Sequence, residues 1–289
     1  MNKKLTIFLI VLLSIICIAL IVFMVMGMND KTRFLFGHRV STELVVDEIY
    51  DKDFKEIYIK SNAGDISVLP TNDNFRVVVY GDKESTNVEE NSDKLSVISK
   101  QQPCRFFCFN TSIQKIEVYV PQNYNGNIEI INNYGDIDIG DLNNAYINIE
   151  EDCGDVKVIN GYNVTISNNY GDIDVNKAEI LNMKEKAGDI KIGYASDVTV
   201  DNNYGDIDIN KVGNYLDITN NCGDIEINEV NLNKNSFIKD DLGNIKIGTI
   251  NEVFIDAKTD LGNVKIGKNH NSDIILKIEN SCGDIKVSN

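Results

Sequence analysis

NNYGDIDI (132–139), NNYGDIDV (168–175) and a second NNYGDIDI (202–209) decide the fold, because one phrase returns at a near-constant interval. Shorter versions lie between and beyond them: CGDVKV from Cys153, AGDIKI from Ala187, CGDIEI from Cys222, LGNIKI from Leu242, LGNVKI from Leu261 and CGDIKV from Cys282. Their glycines are Gly135, Gly154, Gly171, Gly188, Gly205, Gly223, Gly243, Gly262 and Gly283, spaced by 19, 17, 17, 17, 18, 20, 19 and 21 residues. Earlier copies are NAGDISV with Gly64 and NGNIEI with Gly126. After each glycine, apolar residues such as Ile173 and Val175 alternate with polar ones such as Asp174, the two-residue period of a half-buried strand. A second alternating stretch precedes it, as in NVTIS (163–167), YLDIT (215–219) and EVFID (252–256). Each unit therefore reads as strand, bend at the glycine, strand, and an Asn/Lys-rich turn.

One such unit cannot bury its apolar stripe, whereas stacked units share a continuous core. The pattern predicts an all-β, parallel β-solenoid (β-helix-like) of about nine regular coils. Ile137, Val156, Ile173, Ile190, Ile207, Ile225, Ile245, Val264 and Ile285 then form one inward column, and a second begins with Ile139, Val158 and Val175. Each such side chain contributes about 1.5–3 kcal/mol when fully buried, before chain entropy is subtracted. The outward column between them reads Asp138, Lys157, Asp174, Lys191, Asp208, Glu226, Lys246, Lys265 and Lys286. Over its first five members the sign alternates, which favours parallel register.

The residue before each glycine is Tyr134, Cys153, Tyr170, Ala187, Tyr204, Cys222, Leu242, Leu261 or Cys282, never charged. A third packed column is expected there, with the cysteines as small apolar fillers; outward tyrosines would instead form an aromatic platform. Cys153 and Cys222, four rungs apart, are separated by about 19 Å, beyond disulfide reach. Asp or Asn follows every glycine, which suits a side chain bonding to turn amides. The alternative is a calcium-binding ladder of Asp136, Asp155, Asp172, Asp189, Asp206 and Asp224.

The rest of the chain divides into a short cytoplasmic tail (1–4), a transmembrane helix (5–28), a juxtamembrane linker (29–42), atypical N-terminal coils and cap with an excursion (43–125), and the regular repeats (126–289). The stretch LTIFLIVLLSIICIALIVFMVMGM is uncharged and long enough, at about 1.5 Å per helical residue, to cross a roughly 30 Å hydrocarbon layer. It predicts a single-pass protein of the cell membrane, with the lipid bilayer as partner through 5–28 and Lys3 and Lys4 favouring an extracytoplasmic body. In the excursion, Cys104 and Cys108 are candidates for a small disulfide loop. Arg105, Phe106, Phe107 and Phe109 form a candidate contact tip for membrane or partner, or else pack on the cap. The C-terminal edge is either shielded by Lys286 or supports a homo-oligomer.

Of the 289 residues 44 are acidic and 28 basic, a net charge of -16 that speaks against nucleic acid as a partner. Hydrophobic residues at 43% speak against disorder. Catalysis has little to work with: His38 and His270 lie at opposite ends of the body, neither in a metal-ligand pattern, and no cofactor motif occurs. Asp174 and Asp208, two rungs or about 9.6 Å apart, approach the carboxyl spacing of an inverting glycosidase, but periodic aspartates generate that spacing automatically.

The NNYGDIDI, CGDVKV and AGDIKI repeats resemble the bacterial DUF4097-type family of β-strand repeats, known for its "putative adhesin" label. The similarity covers 43–289, and the leading 5–28 segment also resembles the arrangement of many members. It implies a cell-envelope setting, sometimes linked to envelope stress, and no catalytic residue. Asn244 and Asn263 depart from the GD pattern, which weakens a uniform calcium ladder and leaves the turn role intact. The expected function is a membrane-tethered extracytoplasmic scaffold or binding module for an envelope protein or glycan, associated with envelope stress or adhesion. A structural spacer, a calcium-binding solenoid and a glycoside-acting enzyme are the alternatives.

Overall fold

The computed structural model describes residues 39–40, 43–100 and 112–288, and the unit formed by 40–103 and 113–289 carries the repeats. It is an all-β parallel solenoid of about eight turns. Successive rungs pair in register, Ile137 with Val156, Val156 with Ile173, Ile173 with Ile190, Ile190 with Ile207, Ile207 with Ile225 and Ile225 with Ile245. Those side chains, and the column beginning Ile139, Val158 and Val175, are buried in one core. Pairing continues through the Asn/Lys segment (Asp141 with Asn160, Leu142 with Gly161), so whole coils such as Ile137–Cys153 and Val156–Tyr170 are single bent strands.

The stack departs from chain order at both ends. Ile285–Val287 pairs on one side with Ile245–Ile250 and on the other with Val264–Ile266. Ile275–Cys282 likewise lies between Ser236–Leu242 and Phe254–Leu261. The last coil is thus inserted beneath the one before it, and Val264, expected inside the column, is 41% exposed at the outer rung. The nine sequential coils expected are thus corrected to a stack of about eight turns whose last two exchange places. The exchange also removes the C-terminal strand as an edge, the premise of both alternatives there, shielding by Lys286 and association of copies, because both its sides are already paired. At the other end Glu56–Ser61 lies between Lys94–Ser99 and Asn127–Tyr134. Beyond it, Phe75–Tyr80 pairs antiparallel with Leu44–Tyr50 and with Ser112–Pro121, and Phe54, Phe75 and Tyr124 close the core edge to face, with ring centroids 5.2 and 5.7 Å apart.

The expected helix over 5–28 lies outside the described residues, as do Cys104, Cys108, Arg105, Phe106, Phe107 and Phe109. Among the described residues the one helical element is a 3-10 turn, Lys83–Ser85, and no helix is long and apolar enough to cross a membrane. The apolar residues of the body follow a period of two and are spent on sheet faces. For the described residues the helix-plus-solenoid fold is corrected to a solenoid, and the membrane tether, the single-pass localisation and the bilayer as partner are not carried further.

Candidate functional site

Each coil turns at its glycine, and the residues around that corner form three lines along the stack. The glycines are required by close approach. At Gly171, with φ 134°, a Cβ would fall on the carbonyl of Gly154, 2.6 Å from its carbon.

The first line is the post-glycine Asp/Asn series. The backbone N–H of each member donates to the Oδ1 of the member one rung away, at 2.7–3.1 Å, in the order Asp65, Asp136, Asp155, Asp172, Asp189, Asp206, Asp224, Asn244, Asp284, Asn263. The six aspartates considered for calcium thus act as struts between coils. Asn serves at 244 because only an acceptor oxygen is needed there, whereas at 263, the last member, the side-chain Nδ2 donates to Asp284 Oδ1 at 3.2 Å. Asp206→Ala should cost about 1 kcal/mol in a denaturant titration, by loss of the bond to the Asp224 amide, while Asp206→Asn should be near neutral; equal losses would contradict the strut.

The second line is buried and polar: Asn132, Glu151, Asn168, Glu185, Asn202, Asn220, Asp240 and Asn280, each at most 4% exposed. Asn168 Nδ2 donates to the carbonyls of Gly154 and Gly171, both at 3.2 Å. Glu185 Oε1 accepts from the amides of Lys186 and Ala187 at 3.0 and 2.9 Å. Burial pushes Glu151 and Glu185 up to about 7, opposed by these asparagine and amide contacts. Burial likewise raises Asp240 to about 7, with the amides of Asp241 and Leu242 pulling the other way. Sequence reasoning missed this line. The signal was the continued alternation Ile147, Ile149, Glu151, which points the glutamate inward.

The third line precedes the glycines and faces solvent, so the expected packed column is corrected. The bend after each polar-ladder residue swings the next side chain but one off the core. Tyr134, Tyr170 and Tyr204 are 45%, 58% and 64% exposed, and Leu242 and Leu261 are 55% and 70%. In stack order the line runs Tyr134, Cys153, Tyr170, Ala187, Tyr204, Cys222, Leu242, Cys282, Leu261. Large and small residues alternate along all of it, but only once the last coil is inserted. The large ones recur every second rung, about 9.6 Å apart. Cys153, Cys222 and Cys282 are free thiols.

The outward charges stand in register, Asp138 against Lys157, Asp174 against Lys191 and Lys191 against Asp208. Asp174 and Asp208 thus flank a lysine on an open sheet face. His270 lies 4.0 Å from Glu252, while His38 is outside the described residues. Among the described residues no three His, Cys, Asp or Glu converge to hold a metal.

A family model described as Toastrack DUF4097 matches residues 54–192 and, again, 163–289. Among solved structures, a "putative adhesin" from Parabacteroides merdae is 13% identical, covering 86% of this chain and 98% of its own, with a TM-score of 0.46. A "putative lipid binding protein" from Parabacteroides distasonis is 12% identical over 86% and 99%, also at 0.46. A "putative adhesin" from Bacteroides fragilis is 17% identical over 86% and 99%, at 0.34. Curated proteins gave no match.

Proposed function

This chain belongs to the Toastrack DUF4097 family, and from that premise we propose that it is a non-enzymatic, adhesin-like binding scaffold whose contact surface is the tyrosine ridge. The observation that carries this reading is the exposure of Tyr134, Tyr170 and Tyr204 on alternate rungs, with small residues between them. A soluble surface gains nothing from bare aromatic rings in a row, whereas large amphipathic rings are favoured at contact sites. Their two-rung repeat suits an extended polymer with flat units laid along the stack, each unit resting on one ring. Polar neighbours fix the ridge from the side: Asn169 donates to Asp152, and Asn221 donates to Asn203 Oδ1 at 2.6 Å.

The test is to apply the full chain, and its Tyr134→Ala/Tyr170→Ala/Tyr204→Ala variant, to arrayed linear polysaccharides and arrayed peptides. The native chain should bind a linear polymer, and the variant should lose at least about tenfold in Kd, or about 1.4 kcal/mol, with its melting curve unchanged. Equal binding by the two proteins would remove the ridge as the contact surface. No binding by the native chain to either array would favour a spacer.

A further inference from the structure

The buried polar line has a hydrogen-bond imbalance. Register places asparagine on both rungs adjoining every acid: Asn132–Glu151–Asn168, Asn168–Glu185–Asn202 and Asn220–Asp240–Asn280. With the asparagine amides donating to glycine carbonyls, the buried atoms of this line left without partners are acceptors: Oδ1 of Asn132, Asn168, Asn202 and Asn220, Oε2 of Glu151 and Glu185, and both oxygens of Asp240, which the Asp241 and Leu242 amides approach without closing a bond. Stacked acceptors repel, and an ionised carboxylate in a dry column is costly. A proton resolves both difficulties, since a neutral carboxyl gains the O–H donor that the neighbouring amide oxygen lacks.

We propose that Glu151, Glu185 and Asp240 are neutral carboxylic acids in the folded solenoid, each donating its O–H to a stacked asparagine, so that their ionisation loosens the coil stack. The charged groups around them favour this state. Glu151 faces Asp136, Glu185 faces Asp172, and Asp240 faces Asp224 and Asp241, while the remaining contacts are asparagine side chains and backbone amides. Among the described groups acting on the three acids there is no lysine or arginine side chain to stabilise a carboxylate.

The sign follows from linkage. The folded-state values of about 7 stand above the ordinary 4.5 of Glu and 3.8 of Asp. Between those limits the folded chain holds more protons than the unfolded one, so stability falls as pH rises through the window and levels off above it. Shifts of this size amount to on the order of a few hundredfold in the folding equilibrium for each glutamate and a thousandfold for Asp240.

The experiment is denaturant unfolding of the full chain at a series of pH values from about 4 to about 8, spanning the ordinary and raised carboxyl values. It is run beside Glu151→Gln, Glu185→Gln and Asp240→Asn, singly and combined. The native chain should lose stability across the window. Each amide variant should flatten the slope, and Asp240→Asn should exceed the native chain above pH 7, its new amide donating to glycine carbonyls as Asn220 does to Gly223 at 3.0 Å. A native slope unchanged in the combined variant would overturn the proposal. Infrared spectra of the native chain carrying carbon-13 side-chain carboxyls provide a readout independent of variant folding. A protonated-carboxyl band persisting midway through the window supports the proposal, and carboxylate bands alone would overturn it.

Discussion

Gly188→Ala is expected to destabilise the solenoid by about 4 kcal/mol or more, placing it among the rare, severe single substitutions. A Cβ at Gly188 would lie on the carbonyl of Gly171, 2.6 Å from its carbon. That carbonyl has no room to retreat, because Asn168 Nδ2 donates to it and the Gly171 amide is bonded to Ala187 O at 3.2 Å. The same collision recurs at Gly154 against Gly135 and at Gly205 against Gly188, so relief at one corner moves strain to the next. A melt followed by circular dichroism measures the effect. A loss below about 1 kcal/mol would show that the stack opens without penalty and that close approach is not what requires glycine.

Ending the chain after Ile274 is expected to release two coils instead of one. In a sequential stack the deletion would remove only the outermost turn. Here the outer coil, Phe254–Leu261 and Val264–Ile266, pairs with the body only through Ile275–Cys282 and Ile285–Val287. Limited trypsin digestion should then cut at Lys258 and Lys265, which the full chain holds in paired strands. Re-docking of the orphaned coil on Ser236–Leu242 is disfavoured because Leu261 would land beside Leu242 and end the large–small alternation. The connecting loop is also held, with Asn251 bonded twice to Leu232, at 2.8 and 2.9 Å. Continued protection of 254–266 in the shortened chain would mean that insertion of the last coil is not what holds the outer one.

These two expectations rest on different information. The glycine collision follows from a repeat visible in the chain, while the double release depends on which coil lies next to which. The polar line falls between them. Its inward direction is implied by Ile147, Ile149 and Glu151, yet the same parity carried two residues further would bury Cys153 and Tyr170, and Tyr170 is 58% exposed. Alternation holds only while the strand runs straight, and the corner begins between those positions.

By itself the sequence determined the repeat, the parallel in-register stack and the inward aliphatic columns, because a strand period of two and a fixed coil length leave one way to bury every stripe. Only the tertiary structure decided that the tyrosines face water, that each aspartate braces the adjoining coil and that the last coil lies beneath its predecessor. The physical reason is that near-identical rungs offer near-identical pairing partners. Local pattern can say that a strand stacks, but neighbouring side-chain sizes and the reach of the connecting loops settle where.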